Sequence, residues 1–407
     1  MKAVEQNRSQ NNNLDVVFLL LLGVVASFAI PKLNAPMAGL LFAVQLFVLL
    51  KNIKIDFKTT RYFWALMGLF TLSLVGMLYT ENMPRGVDMI GRQISFLLFP
   101  VFYATYRVKN FSILFKTYCI FICVMILVCE VDTIYRFFYK SDTFPLTLDL
   151  FLSYRYTGAE LTKSIGLHNA YFGMYILFSN VLLLSWMIKT ARSRIFLGLF
   201  LLVCLQSVFL LQMVAKTAII MNLIIVGASM VYILIKQKKL KLLFFSGFLL
   251  VLIGLFSYSY LKLPLERITE RFEELNKGEN TERETRVKLW KSALPIIKEN
   301  LVVGVGTGDV EDQLHAAYKK NELLSKSNIH NQFLDYLMRY GLVGLLVFLS
   351  ILGYALVHAI KTANYIYFCF TLIIIGCCFT ENIFSRQWGI TFYACFNYLL
   401  YTFAKKQ

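Results

Sequence analysis

The sequence predicts an all-α fold: a polytopic integral membrane protein of about twelve transmembrane helices with one large helical loop on the outer side. Three observations carry this. Only 16% of the 407 residues are charged, against roughly 25% in soluble domains, while 58% are hydrophobic and mean hydropathy is +0.61. The apolar residues come in long runs rather than at amphipathic spacing, and about 20 such residues cross the hydrocarbon core as a helix. The short basic clusters all fall on one side when the runs alternate direction.

The chain opens with a polar, Asn/Gln-rich tail, 1–13, expected inside the cell. The runs then centre on 14–30, 35–50, 62–79, 94–106, 111–130, 170–188, 195–212, 214–235 and 242–260, and after a long polar interval on 333–359, 365–380 and 388–403. The fourth is short and contains Pro100. Ala26-Ser27-Phe28-Ala29 offers a cleavage site for a signal peptide, but removing the first run would break the charge alternation, so an uncleaved span is expected. With the amino terminus inside, Lys51/Lys54/Lys58/Arg61, Arg107/Lys109, Lys189/Arg192/Arg194, Lys236/Lys238/Lys239/Lys241, Lys361 and Lys405/Lys406 all lie inside. Both termini are then cytoplasmic. The net charge of +17 is thus a topology signal, and no nucleic-acid partner is expected.

This division gives a membrane unit over 14–260 with an outer loop at 131–169, a large outer loop at 261–332, and a closing membrane unit over 333–407. The eight cysteines lie within apolar runs and the outer loops contain none, so neither a disulfide framework nor a zinc site is predicted. No internal repeat is evident, which removes one sign of a secondary transporter.

The large loop has its own organisation. Residues 265–275 are charged and predict a helix lying over the membrane. A second helix is expected from about Thr285 to Lys298, where Arg286, Trp290, Ala293 and Ile297 share a face. Gly304-Val305-Gly306-Thr307-Gly308 breaks the chain. It follows no strand and lies outside, so a tight turn that lets two loop helices approach is expected rather than a nucleotide cradle. Asp309, Glu311 and Asp312 open a third helix, where acidic residues suit the macrodipole better than a metal. Ser325–Asn328 caps the tenth span, and His330 stands at its head. A neutral imidazole there can accept a proton from a hydroxyl; hydrogen bonding to loop backbone is the plainer role. Lys216, in the short outer turn after the seventh span, is either a snorkelling lysine or a functional cation. His168 heads the sixth span on the same side.

The ordered set Arg286-x-x-x-Trp290, Gly304-x-Gly306-x-Gly308, Asn328-x-His330-Asn331-x-Phe333-Leu334 and Gly341-Leu342-x-Gly344 resembles the O-antigen ligase/polymerase family of bacterial membrane glycosyltransferases. Glu381 and Gly389 fit it too, and the first five spans match only in hydropathy. The resemblance implies an enzyme of the bacterial cytoplasmic (inner) membrane whose periplasmic loop is active. It takes a glycan from an undecaprenyl-diphosphate carrier and passes it to a sugar hydroxyl of lipid A-core, without metal or cofactor. It implies His330 as general base, Arg286 as diphosphate ligand, and Lys216 at the place of a second, usually arginine, cation. His168, Trp290, Asn331 and Glu381 become lining candidates. Lysine at 216 departs from the pattern, offering a point charge instead of a planar fork.

Ligase and polymerase differ only in the acceptor. The dominant outer loop ending in the histidine motif favours the ligase, while the ten-residue gap from Arg155 to Gly166 is a polymerase-like feature. A lipid-linked oligosaccharide exporter and a structural scaffold are the other readings. Ionisable residues gathered at one interface, with nearly charge-free spans, favour an enzyme over a carrier.

Overall fold

The computed structural model describes residues 15–51, 61–108, 110–141, 144–190, 192–236, 282–321, 323 and 328–403. The tail 1–13, the run 242–260, the helix expected at 265–275, the lysines at 237–241, the pair Lys405/Lys406 and most of the Ser325–Asn328 cap lie outside these residues.

Every other apolar run is helical. The elements are α1 (Val16–Ala26), α2 (Pro31–Lys51), α3 (Arg61–Gly76), α4 (Met83–Gln93), α5 (Ser95–Thr105), α6 (Phe111–Tyr139) and α7 (Asn169–Lys189). They continue as α8 (Ser193–Gln212), α9 (Lys216–Lys236), α10 (Glu282–Glu299), α11 (Val310–Lys320), α12 (Gln332–Lys361), α13 (Tyr365–Cys378) and α14 (Gln387–Phe403). Six of them, α2, α6, α7, α8, α9 and α12, are long and apolar enough to cross a membrane, and shorter apolar helices cover Val16–Ala29, Met67–Tyr79 and Tyr365–Cys378. The chain is a helical, multi-pass membrane protein.

The fourth and fifth runs differ from the expectation. The fourth is an eleven-residue helix, α5, about 17 Å long at 1.5 Å per residue and short of the roughly 30 Å hydrocarbon core. The amphipathic α4, unmarked by any apolar run, precedes it: Gly86, Met89 and Gln93 are buried, Met83 and Val87 are exposed, and Arg85 and Arg92 pair with acids. The fifth run continues past 130 as helix to Tyr139, so the segment placed as an outer loop at 131–169 begins as a helical extension.

The membrane unit packs around α7, which is buried along almost its whole length. Apolar burial drives little association in lipid, so close side-chain packing holds such helices together. Here it is aromatic: Phe178 meets Phe396 at 4.7 Å, Tyr175 meets Phe392 at 4.7 Å, and Tyr118 meets Phe396 at 5.1 Å between ring centroids. The two ends of the bundle are defined by polar and ring contacts. At one end Tyr106 donates to Asp15 (2.9 Å), Phe111 packs on Phe403 and His358 on Tyr401. At the other, Tyr171 donates to the Asn382 carbonyl (3.3 Å) and Thr217 bonds Thr380 (2.8 Å).

At this second end α12 is broken, where a single continuous span was expected. Gly341 has φ 63° and ψ −160°, a region essentially restricted to glycine. A helix continuing through it would join the N–H groups of Leu342 and Val343 to the carbonyls of Met338 and Arg339. Those four groups pair elsewhere. Leu342 and Val343 donate to Leu301 (2.8 Å) and Val302 (3.3 Å), while the carbonyls of Met338 and Arg339 accept from Val305 (2.8 Å) and Gly306 (3.1 Å). Irregular backbone near the membrane survives only when its polar groups are satisfied in this way. The glycine segment thus turns the chain between α10 and α11, whose apolar faces share one cluster as its spacing suggested, and it also docks on α12. A Cβ at Gly304 would run into the Arg339 carbonyl, and one at Gly341 into that of Val302. The end of α3 supports the same segment: Tyr79 donates to the Val303 carbonyl (2.6 Å) and Thr307 to that of Ser73 (2.7 Å).

Gly341→Ala is expected to destabilise the protein by at least the roughly 1–3 kcal/mol of a forced backbone conformation, read as a lower melting temperature in detergent. Gly353→Ala on the same helix, where a Cβ meets open space, should show no loss. Equal behaviour of the two variants would contradict the account of the break.

Candidate functional site

The first half of α12 carries His330 at its head, and the loop holds that head in place. Ile329 is fully buried in an apolar cluster with Leu289, Ala293, Ile297, Val310, Leu314 and Met338. The indole of Trp290 donates to the Ile329 carbonyl at 2.9 Å. Trp290, Ala293 and Ile297 thus form the shared face expected of α10, and its contact is the turn before the histidine.

His330 itself has φ 49°, a left-handed conformation uncommon outside glycine. Its N–H donates to Asn328 Oδ1 (3.0 Å), and Asn331 then caps the helix by accepting from the Leu334 N–H (3.0 Å). The Asn331 N–H donates to Asn382 Oδ1 (2.7 Å) and its Nδ2 to the Phe379 carbonyl (3.3 Å). Asn331 is therefore a cap that ties α12 to the turn between α13 and α14.

That turn presents Glu381 to the imidazole. Glu381 Oε2 lies 3.4 Å from His330 Nδ1, and Arg286 Nη2 lies 4.0 Å from Oε1. The glutamate side chain is 13% exposed, the arginine 25% and the histidine 27%. One carboxylate, sheltered by the fold, thus stands between two partly exposed groups. A carboxylate at Nδ1 favours the tautomer protonated there and leaves Nε2 as a proton acceptor.

Lys216 begins α9 and is exposed. Its neighbour Thr217 bonds Thr380, the residue before Glu381, so the lysine belongs to the same end of the bundle one residue removed from the turn. His168 caps α7, its Nδ1 accepting from the Ala170 N–H (3.3 Å). Its ring lies 6.2 Å from that of Tyr171, whose hydroxyl reaches Asn382. The histidine borders the site in a capping role.

Asp309 caps α11 without bonding its own helix; its carboxylate accepts from the N–H groups of Glu81 (2.9 Å) and Asn82 (2.7 Å). Asp312 binds Arg85 and accepts from Asn82 Nδ2 (2.6 Å). Among the described residues there is no group of three or more His, Cys, Asp or Glu side chains arranged to hold a metal.

The sequence reading passed over the polar frame beneath the site. Asp335 and Arg339, each 4% exposed, form a 3.2 Å ion pair one turn apart. Asp335 also accepts from Asn382 Nδ2 (3.1 Å), Gln332 Nε2 (3.2 Å) and Ser385 Oγ (3.4 Å), and Gln332 Oε1 accepts from the Phe384 N–H (2.7 Å). Arg339 donates to the Thr307 carbonyl. One buried carboxylate therefore joins the head of α12, the Asn382–Ser385 turn and the glycine segment. The available signal was an Asp and an Arg at i, i+4 within an otherwise apolar stretch.

Residues 213–349 match the family described as O-Antigen ligase. The match contains Lys216, Arg286, Trp290, the glycine segment and His330, but neither His168 nor Glu381. A search of curated proteins returns no match.

Removing one member of a buried pair leaves an uncompensated charge, at a cost of roughly 3–5 kcal/mol. Asp335→Ala is accordingly expected to lower the melting temperature in detergent strongly, and Asp335→Ala with Arg339→Met should recover most of the loss. Additive effects of the two changes would contradict the pairing.

Proposed function

We propose that the chain, whose residues 213–349 match the O-antigen ligase family, acts as a member of it and transfers a glycan from undecaprenyl diphosphate to a sugar hydroxyl of lipid A-core. The reaction takes place at the periplasmic face of the inner membrane. The observation that supports this reading most is Glu381 set between His330 and Arg286. An oriented base and a phosphate-binding cation side by side are what displacement of a diphosphate by a hydroxyl requires.

In this reading the acceptor oxygen attacks the anomeric carbon and gives its proton to His330 Nε2. The bond from that carbon to the diphosphate oxygen breaks, and the electron pair leaves with the diphosphate. Arg286 meets the charge that develops there, with a fork that matches phosphate oxygens. Glu381 orients the imidazole and stabilises it once protonated. Lys216, at the same end, is the second cation for the leaving group. The reaction needs no metal in this scheme, because the lipid diphosphate is already a good leaving group. The basic clusters then lie in the cytoplasm with both termini, and the site lies outside.

The exposed apolar side chains of the spans meet membrane lipid. Polymerase activity, in which the acceptor is another lipid-linked repeat, uses the same chemistry. The gap from Arg155 to Gly166 adds nothing decisive: Gly166 ends a 3₁₀ turn in left-handed conformation and the Arg155 carbonyl accepts from Arg136 (3.0 Å).

With purified protein and lipid-linked donor, His330→Ala is expected to lower transfer roughly 10²–10⁴-fold while leaving insertion and melting temperature unchanged. A wild-type rate would remove the base assignment. Arg286→Ala should raise the donor KM, and recovery in Arg286→Lys would show that charge suffices without the fork. In a strain lacking the protein, bare lipid A-core with glycan stranded on the carrier indicates ligase, and core bearing a single repeat indicates polymerase. An unchanged glycolipid profile would contradict both.

A further inference from the structure

We propose that Arg386 is a third cation of the site, supplying to an anionic prenyl diphosphate the guanidinium fork that Lys216 lacks; this rests on the transfer reading above. Arg386 stands at the end of the turn that also carries Thr380, Glu381 and Asn382, and it is exposed. The backbone on either side of it is held firmly. Before it, Ser385 donates to the buried Asp335 (3.4 Å), and the Ser385 carbonyl accepts from Arg92 Nη1 (3.2 Å). After it, Trp388 packs its ring 5.5 Å from that of Tyr171, and the Trp388 carbonyl accepts from Tyr175 (3.0 Å). The Arg386 carbonyl itself accepts from the Ile390 N–H (3.2 Å). The residue is thus an exposed cation on a rigid mount.

Its surroundings point the same way. Tyr171 donates to Asn382 and lies beside His168, and the charges of Glu381 and Arg386 both act on its hydroxyl. Arg386 and Glu381 thus lie on one turn, both within electrostatic reach of Tyr171. The arginines of the neighbouring elements are neutralised. Arg85 pairs with Asp312, Arg92 with Asp88, and Arg339 with Asp335, while Arg286 shares Glu381 with His330. Among the described residues Arg386 pairs with no carboxylate. An arginine held this way with no carboxylate partner among the described residues, next to a turn whose one carboxylate is already engaged, leaves positive charge to spare for a dianion.

Arg386 and Lys216 also stand near the two ends of one turn. Thr217 bonds Thr380 at the start of that turn, and Arg386 closes it. A fork at 386 can grip two oxygens while the lysine contributes only a point charge. Placing the fork on the turn in place of α9 would preserve diphosphate recognition with lysine at 216.

The test uses the full chain in detergent with farnesyl diphosphate as the binding probe and lipid-linked glycan as the transfer donor. Arg386→Ala should weaken farnesyl diphosphate binding and raise donor KM on the order of tenfold or more, the effect of losing one charge-assisted contact. Acceptor KM and melting temperature should stay unchanged. Arg386→Lys should recover only part of the loss, and Lys216→Arg added to Arg386→Ala should restore most of it, which a purely structural role would not produce. Unchanged donor KM in Arg386→Ala, a rise confined to acceptor KM, or no rescue by Lys216→Arg would each overturn the proposal while leaving the transfer reading intact. Binding that depends on Arg386 in a wild-type protein that transfers nothing would overturn the transfer reading and leave the diphosphate site standing.

Discussion

The break at Gly341 is the constraint on which the rest of the site depends. A straight α12 would satisfy its own backbone and leave nothing for residues 301–306 to bind. Because Met338, Arg339, Leu342 and Val343 bond to that segment instead, the loop is fixed to the membrane unit by backbone groups and not by side chains alone. The first half of α12 then packs against α10 and α11 as part of the loop, while the second half continues into the bundle. His330, at the head of the first half, takes its position from both.

The buried Asp335–Arg339 pair completes the arrangement. Such a pair contributes little net stability against an apolar replacement, but its position suits a specifying role. Its carboxylate gathers Gln332, Asn382 and Ser385, and its guanidinium reaches the glycine segment at Thr307. The turn that carries Glu381 is thereby set against the helix that carries His330. The contact between a sheltered glutamate and a partly exposed histidine is thus backed by a network that is almost wholly buried, the condition under which site geometry is kept within a fraction of an ångström.

The helical class and most helix positions were legible because long apolar runs leave few alternatives. The loop helix at Glu282–Glu299 and the short helix after Asp309 were legible too, from periodicity and acidic start signals. Three things were not. The α4 helix lacks an apolar run, and its charge spacing is a weak signal against the two spans that flank it. The break at Gly341 depends on partners some 40 residues earlier in the chain, and Gly341-Leu342-Val343-Gly344 reads equally well as small residues inside a straight span. The roles of Asn382 and Ser385 arise from contacts between the turn after α13 and the head of α12, which no local pattern encodes. Glu381 was visible as a lining candidate; its place between His330 and Arg286 came only from the fold.

The account's central claim is that the broken helix brings His330, Glu381 and Arg286 together around a lipid diphosphate. The most direct test is a cryo-EM map of the protein in nanodiscs with a non-transferable phosphonate analogue of the lipid-linked donor bound. The account predicts phosphonate density in contact with Arg286, with the anomeric carbon facing Nε2 of His330. Density at the opposite end of the bundle, beside His358, or a donor bound without contact to Arg286, would contradict it.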